Sequence, residues 1–158
     1  MSKIIIIKNK VKEFNKKIIV SGDKSLSIRW VLFSSIASGN SKAYNLLKSA
    51  DVMAAINAIK TLGIKVDYNK NICKIYGKGF NGYQYKKDLT IDAKNSGTLG
   101  RLILGLLVDS PQKIKMIGDK SLSKRDFNRV AEPLKKFGAT FKLNKNKGYR
   151  TRVESHRG

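Results

Sequence analysis

The chain is poor in several residues that carry protein chemistry. Cys73 is its only cysteine and His156 its only histidine. One cysteine excludes an internal disulfide and a cysteine-based metal site, and a lone histidine near the end makes a Ser-His-Asp triad implausible. No apolar run approaches the roughly 20 residues that span a bilayer, and residues 4–7 are too short and wrongly flanked for a signal peptide. We expect a protein of the reduced cytoplasm without a membrane partner.

Acidic residues are also scarce. Eleven Asp and Glu stand against 33 Lys and Arg, a net charge of +22. Such an excess favours anionic partners, namely nucleic acid, a membrane surface or small phosphorylated acids. A composition rich in Lys, Asn and Ile offers another explanation, in which most of the charge is solvated surface lysine. With 158 residues, 41% of them hydrophobic, we expect one globular domain.

The first half of the chain predicts strands and helices in alternation. Residues 4–7 and 18–20 are predicted strands. A buried helix over about 26–38 and a short strand near 41–45 follow. A second helix covers about 51–62, with Ser49 as N-cap. Strands over 64–68 and 72–76 flank a turn at 69–71, and residues 77–88 are predicted to form a surface loop.

The second half repeats this plan. Strands are predicted over 89–91, 114–117 and 139–143, and a turn over 144–148. Helix three opens at 95–98. Helix four follows residues 118–125, with Phe127, Val130, Leu134 and Phe137 on one face, and Pro133 should kink or shorten it.

An internal echo defines the repeat. Residues 62–71 match residues 137–146 at an offset of 75. The chain is therefore predicted to be two copies of strand-helix-strand-helix-strand-strand, about 17–77 and 89–148, in a mixed α/β (α+β) fold. Such copies should pack together. A second echo, Gly-Asp-Lys-Ser-Leu-Ser at 22 and 118, has an offset of 96 and is interpreted as reuse of a helix-start device.

Three loops share small residues and one arginine each. They span 22–29, 95–101 and 118–125, each between a predicted strand and a helix start, and carry Arg29, Arg101 and Arg125. Helix N-termini and arginine bind phosphate or carboxylate, so the loops together would form a positive cleft. The alternative is three ordinary caps with surface arginines, Ser25 or Ser27 capping the first helix and Lys24 solvated.

In their order and sequence, these loops resemble the N-terminal part of the EPSP synthases (3-phosphoshikimate 1-carboxyvinyltransferases), from about residue 10 to 147. The resemblance includes the connecting residues 45–52 and the Pro133-Leu134 helix, whereas residues 149–158 look unlike the family. The resemblance implies an inside-out α/β barrel fold with two lobes of three repeats, of which this chain holds about two. It also implies enolpyruvyl transfer from phosphoenolpyruvate to shikimate 3-phosphate, in the route to chorismate and aromatic amino acids, without metal or organic cofactor.

The resemblance also assigns residues. Lys24 would contact both substrates, Ser25 and Arg29 would bind shikimate 3-phosphate, and Asn95, Gly97, Thr98 and Arg125 would bind phosphoenolpyruvate. Ser96, Gly100 and Asp126 depart from the family pattern, and Asp126 is expected to weaken the grip of Arg125 on an anion. No residue can be nominated as catalytic acid or base. We expect a truncated piece without useful turnover alone, whose partner, if the protein is split, is the second lobe.

Two other functions remain open at this point. A sister enolpyruvyl transferase acting on a UDP-sugar would carry Lys-Asn in the first loop and a reactive loop cysteine, whereas Cys73 falls in a predicted strand. A basic nucleic-acid-binding module suits the charge, but Trp30, Phe33, Phe127 and Phe137 are predicted on core faces, so we expect only non-specific nucleic-acid binding. A non-catalytic piece with an exposed hydrophobic face is compatible with the main interpretation.

Overall fold

The computed structural model describes residues 4–6, 8, 13 and 15–143, together with the backbone of 151–155. Helices and strands alternate along this part of the chain. Their order is α1 (Lys24–Ile36), β1 (Ser38–Tyr44), α2 (Ala50–Thr61), β2 (Lys65–Asn69), β3 (Ile72–Lys78), β4 (Leu89–Asp92), α3 (Gly97–Leu106), β5 (Ile114–Ile117), α4 (Lys120–Ser123), α5 (Asn128–Lys135), β6 (Ala139–Leu143) and β7 (Thr151–Ser155).

Each half of the chain builds one sheet. The first has the order β1-β3-β2 with antiparallel neighbours, and the second the order β4-β5-β7-β6, in which only β4 and β5 are parallel. The predicted hairpin at 69–71 is confirmed, with Asn69 opposite Ile72. Strand β7 lies within residues 149–158, the segment that looks unlike the family in sequence. The predicted turn at 144–148 lies outside the described residues.

The predicted strand over residues 18–20 is wrong. Residues 15–20 have no regular secondary structure, and Ile18, Ile19 and Val20 are 69%, 90% and 69% exposed. A β-branched run becomes a strand only where a neighbouring edge pairs with it and one face is buried. Neither condition holds here, so the first sheet has no counterpart of β4 among the described residues. Residues 4–6 are likewise irregular and exposed, and residue 7 lies outside the described residues.

One continuous core joins the two halves. Helices α1, α2 and α3 pack together, α1 against β3 and α2 against β4. Buried residues from both halves belong to a single cluster, so the two halves of the described chain pack together. On α2 the predicted stripe is buried. The prediction that α1 is buried all round is wrong, because Leu26 and Phe33 are 67% and 63% exposed. Only one face of α1 meets its neighbours.

Helix four is two helices. The helical conformation is interrupted between the end of α4 at Ser123 and the start of α5 at Asn128. This break lies well before Pro133, which is inside α5. Phe127 lies at this break and is buried, and Oδ1 of Asp126 accepts a hydrogen bond from N–H of Asn128 at 2.8 Å. The burial of Phe127 and the start of α5 together stabilise the fold more than an unbroken helix would. The predicted apolar face is therefore wrong in part, because Phe137 is 75% exposed.

Candidate functional site

The parallel pair β4 and β5 brings two loops to one edge of the second sheet. Carboxyl ends of parallel strands lie side by side, so the loops before α3 and α4 start together. Hydrogen bonds fix this arrangement: N–H of Ala93 donates to O of Ile117 at 2.9 Å, and N–H of Asp119 donates to O of Lys94 at 2.8 Å. Residues 24 and more positions apart in the sequence thereby become neighbours.

Four residues of these loops form what we call the Asn95 cluster: Asn95, Gly97, Asp119 and Arg125. Nδ2 of Asn95 donates to Oδ2 of Asp119. Nη2 of Arg125 donates to Oδ1 of Asn95 at 3.0 Å. The amide of Asn95 therefore lies between a carboxylate and a guanidinium and holds both. Two hydrogen bonds hold the pKa of the Asp119 carboxyl below its usual value. The bond from Asn95 has the larger effect, and the bond from N–H of Leu122 comes second.

Gly97 lies directly beneath the arginines. A Cβ atom placed on Gly97 would lie 2.6 Å from Nη1 of Arg125 and 3.2 Å from Nη1 of Arg101. Gly97 and Thr98 are also the first two residues of α3, so their N–H groups have no carbonyl within the helix to receive them. Arginine and helix start together offer donors and positive charge to one small anion.

Aspartate caps both helices that follow the repeated motif. Oδ1 of Asp23 accepts from N–H of Leu26 at 2.7 Å, and Oδ1 of Asp119 accepts from N–H of Leu122 at 2.7 Å. The interpretation of the second echo as a helix-start device is therefore confirmed. The alternative that Ser25 or Ser27 caps α1 is wrong, because Asp23 occupies the N-cap and Oγ of Ser27 accepts from N–H of Leu47 instead.

The first loop makes contacts of its own. Nζ of Lys24 lies 3.2 Å from Oδ2 of Asp51, at the start of α2, so Lys24 is not simply solvated. Ser25 is half-buried and Arg29 is exposed. In the described part of the chain, no hydrogen bond or ion pair joins these residues to the Asn95 cluster. The structure thus brings Asn95, Gly97 and Arg125 together, and it pairs Lys24 with Asp51 of α2.

The three departures from the family pattern have local causes. Oγ of Ser96 caps α3 by accepting from N–H of Leu99 at 3.2 Å. The absent side chain of Gly100 makes room for the ring of Phe127, 3.3 Å from an added Cβ. Oδ1 of Asp126 accepts from N–H of Asn128, so this carboxylate serves the start of α5.

Sequence reasoning missed one member of the cluster. Asp119 belongs to the repeated Gly-Asp-Lys-Ser-Leu-Ser motif, and its position before a helix start, matching that of Asp23, is the signal that identifies it as a cap. Within the described residues, no group of three His, Cys, Asp or Glu side chains forms a candidate metal site, and no helix there has the length and apolarity to cross a membrane.

A cavity of about 640 Å³ lies away from the cluster. It opens between the loop that carries Phe80 and Tyr83, the end of α3 at Leu106, and Phe137. None of the predicted ligand residues lines it. Its walls are mainly apolar and suit a hydrophobic occupant. The side chains and N–H groups that can bind an anion lie instead at the starts of α3 and α4.

Cys73 is buried in β3, facing the core. Burial raises the pKa of its thiol to about 11, so the thiol is protonated at neutral pH and is a poor nucleophile. This is not the reactive loop cysteine expected of the UDP-sugar enzyme. Of the aromatics predicted on core faces, Phe127 is buried and Trp30 half-buried, but the prediction is wrong for Phe33 and Phe137.

Comparison with known proteins agrees with this architecture. The family model for EPSP synthase (3-phosphoshikimate 1-carboxyvinyltransferase) matches residues 8–158, a range that includes residues 149–158. The 3-phosphoshikimate 1-carboxyvinyltransferase of Bacillus cytotoxicus is 42% identical over 128 residues, covering 81% of this chain and 30% of the relative. That of Streptococcus agalactiae is 43% identical over 120 residues, covering 76% and 28%.

Solved structures give the same answer for the fold. An EPSP synthase structure from Acinetobacter baumannii superposes with a TM-score of 0.79 at 33% identity and covers 87% of this chain and 31% of that one. The chain spans about 30% of the length of the relatives it matches. With nearly the whole sequence matched by the family model and the fold shared, the chain belongs to the EPSP synthase (3-phosphoshikimate 1-carboxyvinyltransferase) family.

Proposed function

We propose that this chain supplies substrate-binding surface for enolpyruvyl transfer from phosphoenolpyruvate to shikimate 3-phosphate, with release of phosphate. The Asn95 cluster binds phosphoenolpyruvate. Arg125 pairs with one of its anionic groups, and the first-turn N–H groups of Gly97 and Thr98 donate to it. Phosphoenolpyruvate carries a phosphate and a carboxylate, and charge-assisted hydrogen bonds from guanidinium and helix N-terminus suit both.

One observation carries the proposal: Nη2 of Arg125 is held 3.0 Å from Oδ1 of Asn95 while Nη1 stands over Gly97. An arginine oriented in advance loses less side-chain entropy when the anion arrives. Asp119 balances part of the charge through Asn95 without contacting the arginine by a hydrogen bond of its own.

The second substrate is assigned to the first loop. Ser25 and Arg29 bind shikimate 3-phosphate, and Lys24 reaches both substrates. The ion pair of Lys24 with Asp51 joins partly exposed groups, the Lys24 side chain being 53% exposed. Pairs of this kind are weak, so Lys24 can exchange Asp51 for a phosphate. The cytoplasm is the expected compartment for this chemistry.

Calorimetric titration of the 158-residue chain with phosphoenolpyruvate tests the assignment. We expect Arg125→Gln to weaken binding about tenfold or more, because one charge-assisted hydrogen bond contributes about 1.5 kcal/mol or more. Arg129→Gln is the matched control, since Arg129 is exposed on α5. Equal affinities for the two variants would refute the assignment. Phosphate release with both substrates present tests the expectation that the chain alone does not turn over.

A further inference from the structure

Arg101 is the one loop arginine to which neither substrate was assigned. It lies on α3, four residues after Gly97, and is half-buried. Side chains on a helix lean toward its N-terminus. Accordingly, Nη1 of Arg101 reaches back to within 3.2 Å of the position that a Cβ of Gly97 would take. Arg101 therefore lies at the edge of the Asn95 cluster.

Its other contacts are with the two residues that follow Arg125 in the chain. Nη2 of Arg101 donates to the backbone O of Asp126 at 3.3 Å. The guanidinium carbon lies 5.6 Å from the centroid of the Phe127 ring, which in turn packs on Gly100. Arg101 thus fastens the irregular segment between α4 and α5 to the body of α3.

The inner part of the Arg101 side chain is enclosed. Its Nε is buried and has no hydrogen-bond partner among the residues that the structure describes. A guanidinium that binds ligand needs its donors open to the incoming anion, whereas an enclosed Nε suits a side chain fixed by stacking and by one backbone oxygen. This distinguishes Arg101 from Arg125, which is exposed.

We propose that Arg101 is a positioning residue for Arg125. Through Asp126 and Phe127 it holds the segment that carries Arg125 against α3, so that the Arg125 guanidinium stands over Gly97 before the anion binds. The two guanidinium groups repel one another, and this fastening keeps them together. The inference rests on the proposed role of Arg125 in binding phosphoenolpyruvate.

Arg101→Lys and Arg101→Met separate position from charge. Lysine keeps the charge but lacks the planar group that stacks on Phe127. We expect both variants to weaken phosphoenolpyruvate binding about tenfold. This corresponds to the loss of one well-aligned charged hydrogen bond between Arg125 and the anion. The matched control is Lys124→Met, which removes an exposed charge next to Arg125 and should change affinity less than about twofold. Full rescue by Arg101→Lys, or an equal loss in Lys124→Met, would overturn the proposal.

A readout without ligand keeps the proposal independent of the proposed function. In NMR spectra of the free chain, we expect a nuclear Overhauser contact between the Arg125 side chain and Hα of Gly97. It should disappear in Arg101→Met and Arg101→Lys while the dispersed amide spectrum shows that both stay folded. If the wild-type chain bound no phosphoenolpyruvate, the proposed function would fail but this contact would still decide the positioning role. Its persistence in both variants would overturn that role.

Phe127→Leu tests the route by which Arg101 acts. Leucine keeps an apolar side chain at the buried position but removes the ring on which Arg101 stacks. We expect a similar loss of phosphoenolpyruvate affinity and a double variant with Arg101→Met that is no worse than the single ones, because both break the same connection. Additive losses would contradict the proposed route.

Discussion

At the scale of single residues, position 97 shows how an absent side chain makes room for chemistry. Two guanidinium groups occupy the space into which a Cβ would project, one of them 2.6 Å from it. Real Cβ atoms do not approach other heavy atoms so closely, so a methyl group there must displace Arg125. The flexible end of Arg125 can move, which is why the cost should appear in binding rather than in folding.

Gly97→Ala is therefore expected to weaken phosphoenolpyruvate binding about tenfold, equivalent to loss of the Arg125 contact, and to leave shikimate 3-phosphate binding unchanged. Competition calorimetry with each substrate measures both. Gly105→Ala is the matched control on the same helix, because no atom in the described part of the chain lies within 4 Å of its added Cβ. It should keep both affinities and gain up to about 1 kcal/mol of stability. Unchanged phosphoenolpyruvate affinity in Gly97→Ala would contradict the geometry of the site.

At the scale of elements, α4 depends on its cap. This helix has four residues, too few to be stable by propagation alone. Oδ1 of Asp119 accepts the N–H of Leu122 while Oδ2 accepts Nδ2 of Asn95. One carboxylate thus starts α4 and orients the amide that holds Arg125.

The lowered pKa of Asp119 has a testable consequence. A carboxyl group with a depressed folded pKa stabilises the fold above its unfolded value of about 3.9, and the contribution is lost as pH falls through the folded pKa. Asn95→Ala should move the Asp119 titration, followed by carboxyl NMR, toward the ordinary value, because it removes the largest cause of the shift. The stability gap between wild type and Asn95→Ala should be widest above about pH 5 and shrink below pH 4.

Asn57→Ala is the control for this titration. Asn57 is exposed on α2, away from the start of α4, and its replacement should leave the Asp119 carboxyl unchanged. An Asp119 pKa that does not rise in Asn95→Ala would mean that the amide is not its partner in solution.

At the scale of the whole molecule, a single core spans both halves of the described chain. Cys73, the only cysteine, lies fully buried in that core, on the strand at the centre of the first sheet. Because its neighbours come from one cooperative unit, its thiol should become accessible only when the molecule opens globally.

We expect Cys73 to react with a chromogenic disulfide reagent at pH 8 at least about a hundredfold more slowly in the folded chain than in denaturant, since it is both enclosed and protonated, with a pKa of about 11. The control is Ile72→Cys combined with Cys73→Ala, because residue 72 is exposed and on the opposite face of β3. That thiol should react at nearly the unfolded rate. Fast reaction of Cys73 in the native chain would show that the first sheet opens locally.

The sequence predicted what depends on neighbouring residues. Ser49 caps α2 as expected, the hairpin joins β2 and β3, and α3 begins at the predicted loop. Predictions failed where distant partners decide. Residues 18–20 have strand propensity but no paired edge, and the fourth helix breaks because Phe127 is drawn into the core beside Gly100.

The sequence by itself determined most of the helices and strands, the Ser49 cap of α2 and the residue types suited to small anions, since these follow from local propensity and periodicity. The tertiary structure alone decided which of those residues meet. Asn95 and Arg125 are joined because β4 and β5 pair in parallel and align their ends, and Arg101 faces the Arg125 segment because α3 packs against α5. Such contacts depend on long-range pairing and burial, which no local pattern encodes.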